Sequence, residues 1–341
     1  MRLHLVATAT NSWPLLLVYA FGTEIHVRTE LRAAHKPTSL DYAGWLGDDT
    51  FAVYLFHGVV DQHHEVVRNY THKHISTKVF RRVLGSLSEC GSPVSMDQIV
   101  DHHTGGEPLP PKAFAITFDD GFENNYSIAA GVLQEYTIPA TFYITTGFVE
   151  NNSMSWIDRI EHCFARTQCA SIRFPWRDKP IPFSDSHQKI AVLEIIRANV
   201  KVNPILDVDE FVADICRQCE MPEVRSSDDP LDQKMSWTQV RELADDDLFT
   251  IGGHSHTHRT LAFLSQDELA KEIHHSLYLL EDRAGVHARH YSYPEGFRHS
   301  YSDTVIEKLK QHAIECCPTA EVGVNSISDD LFRLRRIPVT G

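Results

Sequence analysis

Short apolar runs that stop abruptly at polar residues or glycine alternate, along most of this chain, with longer stretches of helical periodicity. Phe51-Ala52-Val53-Tyr54-Leu55-Phe56-His57-Gly58 and Phe114-Ala115-Ile116-Thr117-Phe118 are the clearest runs. Their aromatic and β-branched side chains suit a pleated surface covered on both faces, which predicts buried strands. Between them, Ser76 or Thr77 opens an amphipathic helix to about Cys90, closed by Gly91. A polar loop over 104–111 leads into the second strand. A helix over 123–136 and a strand over 140–144 follow, and strand, helix, strand in that order predicts a right-handed crossover with parallel pairing. The alternation resumes at Ser236-Trp237, which caps a helix, and continues in a strand over 248–251. Ser265-Gln266-Asp267-Glu268 is a capping box opening a long helix that ends at Gly285. Strands over 290–293, around 313–317 and over 333–339 complete the pattern. Repeated β/α units, each too small to stand alone, predict a barrel or a doubly wound sheet.

The stretch from 151 to about 235 breaks this rhythm. Helical segments at 156–166, 188–200 and 208–220 are joined by the proline-rich links Phe174-Pro175-Trp176 and Pro180-Ile181-Pro182. This predicts a helical insertion packed over the mouth of the main unit. Residues 1–50 read as an N-terminal extension to a unit spanning 51–341. Within the extension, Trp13-Pro14-Leu15-Leu16-Leu17-Val18-Tyr19-Ala20-Phe21 is too short to span a bilayer and has only Arg2 before it, which favours a buried strand over an export signal. No other stretch is a membrane-span candidate.

Composition narrows the class. With 42% hydrophobic and 23% charged residues in 341, a sizeable core is expected. A formal charge of -14 argues against nucleic acid or an anionic membrane as partner. The seven cysteines make no disulfide-like framework: Cys216 and Cys219 form a CxxC without a second pair, and Cys316-Cys317 reads as buried strand. A reducing, cytoplasmic compartment is therefore expected. Among 21 histidines, the pairs His63-His64, His102-His103 and His274-His275 read as solvated surface. Nothing in the pattern sets an oligomeric state.

Candidate chemistry gathers where two predicted strands stop. One ends in Asp119-Asp120-Gly121. Adjacent carboxylates at a dry strand end repel, so a cation, a proton or a metal must compensate. The plainer alternative is that one Asp caps the following helix. The other strand ends in Gly252-Gly253 and then His254-Ser255-His256-Thr257-His258. A helical turn would bring His254 and His258 to one side, whereas an extended chain would put all three histidines on one face. Spacing alone leaves the binding pair open. Beside the Asp-Asp strand, these histidines predict a facial His, His, Asp site for zinc or a similar cation. Bound zinc lowers the pKa of water to roughly 7, and the remaining Asp could accept the water proton.

Thr117-Phe118-Asp119-Asp120-Gly121 and His254-Ser255-His256-Thr257-His258 resemble the first two motifs of the polysaccharide deacetylase family, the NodB-homology carbohydrate esterases. The similarity continues through the strand over 54–59, the helix after Ile75, Ile138-Pro139-Ala140-Thr141-Phe142 and Tyr291-Ser292-Tyr293-Pro294-Glu295-Gly296, about residues 51–339 in all. It implies a deformed (β/α) barrel. It also implies metal-dependent removal of an N- or O-acetyl group from a sugar or polysaccharide, with one divalent ion, zinc first among the candidates. By this resemblance Asp119 is the general base, Asp120, His254 and His258 are the ligands, and His256 holds the variable middle position.

The third motif, usually Arg-Pro-Pro-Tyr-Gly, here reads Ser292-Tyr293-Pro294-Glu295-Gly296 and lacks both the base-orienting arginine and the tyrosine. The Glu295 backbone N–H could still serve an oxyanion. Tyr293 and Pro294, with Trp156 and Trp176 of the insertion, are candidates to contact the sugar. Arg335 or Arg336, on a strand expected to close the barrel beside the Asp-Asp strand, should supply the missing cation in preference to Arg289. The family's Leu-x-His acid is replaced by Phe332-Arg333-Leu334-Arg335-Arg336-Ile337-Pro338-Val339, which leaves the acid unassigned and His57 a candidate. The Tyr-Pro-Glu-Gly and Arg-Ile-Pro-Val variants resemble the branch found in bacterial surface-polysaccharide biosynthesis. Two other functions compete: a non-catalytic barrel binding a glycan or metal, and metal-dependent hydrolysis of another amide or a phosphoester. The complete set of Asp119, Asp120, His254 and His258 argues against the first, and the lack of a second ligand cluster against a two-metal phosphoesterase.

Overall fold

The apolar runs fold as strands and the periodic stretches as helices in the computed structural model, which describes residues 42–61 and 66–341. The expectations for 13–21 and for His63-His64 lie outside the described residues. The first run divides into β1 (Ala52–Phe56) and β2 (Gly58–Val60), and β2 pairs with β3 (His74–Ser76) instead of prolonging β1. A Cβ on Gly58 would stand 2.0 Å from the His74 ring, so this approach requires glycine. Ser76 caps α1 (Thr77–Cys90) by accepting from the Val79 N–H. Gly91 ends that helix in extended backbone, not in the left-handed turn its identity suggests. It is needed for space, since a Cβ there would meet the Lys112 carbonyl at 2.5 Å. After β4 (Ser92–Pro93), α2 (Met96–His103) and β5 (Ala113–Phe118), the helix expected over 123–136 begins as a π-helical turn, Asn125–Ala130, and continues as α3 (Gly131–Tyr136). Strand β6 (Ala140–Ile144) and α4 (Thr146–Asn151) follow.

The segment that breaks the alternation holds α5 (Trp156–Arg166), β7 (Ala170–Phe174), β8 (Arg177–Phe183), α6 (Ser186–Val200) and α7 (Val208–Gln218). The proline-rich links form an antiparallel hairpin, β7 with β8. A two-stranded ribbon consists of edges, where proline removes no ladder bond. This segment encloses its own apolar cluster, including Phe164, Ile172, Leu193, Ile196 and Ile215, and the free thiols of Cys163, Cys216 and Cys219 lie in it.

The alternation resumes with α8 (Trp237–Ala244), β9 (Phe249–Gly253), α9 (Gln266–Ala284), α10 (Asp303–Gln311) and β10 (Ile337–Pro338). The Ser265 capping box and left-handed Gly285 delimit α9, as the pattern predicts. Helix α10, capped by Ser302, is an addition to the predicted elements. The strands expected over 290–293 and 313–317 shrink to isolated bridges, Gly253 to Tyr291 and His290 to Cys316. Pro294 and Pro318 carry no N–H, which ends the pairing there.

The main sheet is parallel, in the order β10-β1-β5-β6-β9, with β4 beside the start of β5. The bridges at Tyr291 and Cys316 carry the ring onward, giving a deformed, incompletely paired (β/α) barrel. Strand β6 separates β5 from β9, and β1 separates β10 from β5, so the motif-bearing strands are second neighbours and not adjacent. Phe114, Ile116 and Phe118 face the helices, and Phe118 stacks between Phe56 at 5.2 Å and Phe142 at 5.1 Å. Each such buried ring stabilises the fold by about 1.5–3 kcal/mol. Ala115 and Thr117 therefore face the other way, and Asp119 continues that face. Residues Tyr42–Gly341 form one compact unit, to which Tyr42 is tied by the Tyr54 hydroxyl donating to its carbonyl at 2.6 Å. Among the described residues no helix is long and apolar enough to cross a membrane.

Candidate active site

Strand β5 ends in two successive left-handed residues, Asp120 at φ +77° and Gly121 at φ +79°. The turn sends the two carboxylates to different partners. Neither caps a helix, because the helical turn that follows begins after Asn124 without a side-chain cap.

Asp119 is buried against a fully buried Arg336. Arg336 Nη1 donates to Oδ1 at 2.8 Å and Nη2 to Oδ2 at 2.7 Å, a bidentate pair. The guanidinium is itself fixed by the Thr319 carbonyl at 2.6 Å and the Ser292 hydroxyl at 2.9 Å. Ser292, where the family motif has arginine, also donates to Asp119 Oδ2 at 3.4 Å. Burial pushes the Asp119 pKa up, but Arg336 and then His254 outweigh it and hold the carboxyl below its ordinary value. Arg335 does not share this role. One residue along an extended chain turns it to the opposite side, where it pairs with Asp329 at 3.1 Å. Arg289 is engaged by Asp97 at 2.8 Å and Glu315 at 2.9 Å.

The His254–His258 segment is neither helix nor strand. The His254 N–H still donates to the Ile144 carbonyl, but Ser255 and His258 are left-handed, and the Ser255 hydroxyl accepts from the His258 N–H at 2.9 Å. This turn brings His254 and His258 together and sends His256 away, to the Thr146 hydroxyl at 3.0 Å and the His275 ring. The Nε2 atoms of His254 and His258 lie 3.6 and 3.3 Å from Asp120 Oδ1. The Ser292 carbonyl, only an acceptor, lies 2.9 Å from His254 Nδ1, which places the proton there and leaves the lone pair on Nε2. Asp120 Oδ1 is buried and has no hydrogen-bond partner, although His258 Nε2 lies only 3.3 Å away. Such an orphan costs about 1–3 kcal/mol unless something compensates. Two imidazoles and a carboxylate, with ligand atoms all within 4.8 Å of one another, fit a divalent ion such as zinc. Burial works against the Asp120 charge, yet the imidazoles of His258, His57 and His254 hold its pKa well below the usual range. Burial lowers His254, while Asp120 overcomes burial to raise His258.

His57 faces this pair of carboxylates as a neutral ring, its pKa pushed down to about 4 by burial against the pull of Asp120 and Asp119. Glu295 sits at φ +63°, and its N–H donates to no protein group among the described residues. Its carboxylate pairs with Lys201 at the end of α6. Trp156 lines a cleft of about 400 Å³ together with Phe148, His258, Lys201, Phe263 and Glu295. Tyr293 and Pro294 do not line it: both are buried, contrary to the expectation of sugar contact. Ser292 faces the site, so Tyr293 faces the core beyond, stacked on Tyr301 at 4.7 Å with its hydroxyl donating to the Phe332 carbonyl. Trp176 is likewise absent from the cleft and stacks on Phe174 inside the insertion. Lys201 is marked by no local motif, and Ser292, although it lies in the third motif, shows there only as a missing arginine; each acquires its role from a partner distant in the chain.

The sequence model of the polysaccharide deacetylase family matches residues 106–317, more than half of the chain. Over 69 residues the chain is 41% identical to the poly-beta-1,6-N-acetyl-D-glucosamine N-deacetylase of Escherichia coli (strain K12); the match covers 20% of this chain and 10% of that protein. Similar folds include the Streptococcus pyogenes deacetylase PplD in complex with acetate, at TM-score 0.56 and 15% identity, covering 85% of this chain and 92% of that one. IcaB from Ammonifex degensii has TM-score 0.55 and 20% identity, over 86% and 94% of the two chains. The BpsB deacetylase domain from Bordetella bronchiseptica has TM-score 0.53 and 18% identity, over 86% and 97%. At such identities the structures speak to fold alone. The chain belongs to the polysaccharide deacetylase family.

Proposed function

We propose that this protein is a metal-dependent deacetylase that hydrolyses an acetyl group, N-acetyl before O-acetyl, on a sugar or polysaccharide. The observation that carries this reading is the division of the adjacent carboxylates: Asp120 Oδ1 faces two imidazole nitrogens, while Asp119 is clamped by Arg336. Asp120, His254 and His258 would hold one divalent ion of the zinc type. When bound, the ion acidifies a water and polarises the acetyl carbonyl. Asp119 accepts the water proton at a carboxylate oxygen, kept ionised and in one rotamer by Arg336 and Ser292. The Glu295 N–H donates to the oxygen that gains charge as the carbonyl becomes tetrahedral. Trp156 offers an aromatic face to a sugar ring along the cleft. The 69-residue likeness supports a β-1,6-linked N-acetylglucosamine polymer as the first substrate to try.

Mass spectrometry against a panel of acetylated sugars tests the activity. Elemental analysis should find about one equivalent of metal in the parent, falling toward none in His254→Ala. Asp119→Asn should keep its metal while turnover falls about 10²–10⁴-fold. Equal metal in parent and His254→Ala would sink the ligand assignment. If metal leaves Asp119→Asn along with activity, Asp119 is a ligand and not the base.

A further inference from the structure

The turn that carries two of the proposed ligands lies beyond the end of β9, so the sheet does not dictate its shape. Ser255 at φ +63° and His258 at φ +60° are non-glycine residues in the left-handed region. That conformation costs about 1–2 kcal/mol per residue and persists where the surroundings enforce it. One side of the turn is held by the start of α4, where the Thr146 N–H donates to the Ser255 carbonyl at 3.1 Å and the Gly147 N–H to the His256 carbonyl at 2.9 Å. The other side is held by one oxygen atom. Glu272 Oε1 accepts from the His256 N–H at 2.9 Å, the Thr257 N–H at 2.5 Å and the Thr257 hydroxyl at 2.9 Å. Glu272 is 8% exposed, and it rises from the middle of α9, whose Leu269 and Ile273 are packed in the core. Among the described residues it forms no ion pair with Lys or Arg, so its charge is met by the amides and hydroxyl of this turn.

We infer that Glu272 is a positioning residue for the metal centre. It touches neither substrate nor ion. By pinning two successive amides between His254 and His258, it sets the separation and direction of the two Nε2 atoms that face Asp120. The inference rests on the reading of Asp120, His254 and His258 as ligands.

Zinc titration of the metal-free full chain against a competing chelator tests it. Glu272→Asp keeps the charge but withdraws the acceptor by one methylene, whereas Glu272→Gln loses the charge but keeps a carbonyl acceptor at the same reach. If placement is what matters, affinity falls about 10–100-fold in Glu272→Asp and stays within about threefold of the parent in Glu272→Gln. The reverse order overturns the inference, because charge and not placement would then act. Equal affinity in all three proteins overturns it as well and leaves the ligand assignment standing. A parent that takes up no zinc overturns the ligand assignment and this inference with it.

Discussion

At Asp119 one cation decides the state of a buried carboxylate. Desolvation alone would raise its pKa, and the Arg336 clamp reverses that. Replacing Arg336 by Met should therefore raise the Asp119 pKa. The proposed base acts only when deprotonated, so on that reading the acidic limb of kcat/KM should move to higher pH. The variant should also lose about 3–5 kcal/mol of stability, the usual consequence of leaving one member of a buried ion pair alone. Arg335→Met, whose partner is the half-exposed Asp329, should keep the parental limb. An acidic limb that stays in place in Arg336→Met would mean that hydrogen bonds alone set the base. The sequence narrows the clamp to two neighbouring arginines and goes no further. Deciding between them needs the register of β10 on β1, which puts Ile337 opposite Tyr54 on the helix-facing side and so turns Arg336 inward.

Among the elements, what was legible is what is local. The caps at Ser76, Ser236 and Ser265 are read from three or four residues, because each side chain satisfies an amide one turn away. The strand ends at Asp119 and His254 are equally local changes from apolar to polar. The β7–β8 hairpin and the bridges at Tyr291 and Cys316 depend on pairing partners outside each stretch, so periodicity does not reveal them. The insertion makes the same point with two tryptophans that composition cannot distinguish. Trp156 borders the cleft beside His258, and Trp176 is stacked on Phe174 and packed at a tilt against Phe211. Trp156→Ala should raise KM for a sugar substrate more than it lowers kcat. Trp176→Ala should leave both constants alone and lower unfolding free energy by about 2 kcal/mol, through lost packing. Steady-state kinetics with urea denaturation separate the two, and unchanged kinetics in Trp156→Ala would make that side chain scaffold as well.

Across the whole molecule, the insertion is joined to the barrel through charges removed from water, and this joint abuts the site. Lys73 meets Asp158 of α5 at 2.7 Å, and Arg68 meets Asp232 on the returning chain at 2.5 Å. Glu161 accepts from the Asn69 N–H at 2.9 Å, and Lys234 lies 3.9 Å from the ring of Phe122, the residue after Asp120-Gly121. Buried ion pairs are weak evidence of net stability, but they make stability depend on pH. The two carboxylates of α5 act with opposite sign. Asp158 is pushed up by burial but held down further by Lys73 and Lys234, so its contribution is present above the unfolded value and lost in acid. Glu161 is raised to about 7, first by burial and then by the charge of Asp158. Its folded pKa lies above the unfolded one, so its contribution is full below about pH 4 and lost as pH rises through about 7. Glu161→Gln keeps an acceptor for Asn69 and removes the ionisation. The loss of unfolding free energy between about pH 5.5 and about pH 8.5 should then be smaller than in the parent by about 1–3 kcal/mol, measured by urea titration at both values. A difference as large in the variant as in the parent would mean that Glu161 ionises as freely in the folded joint as in the unfolded chain. The pH dependence of the joint would then have to come from its other carboxylates, with Asp232, raised to about 6 by burial, the first to replace.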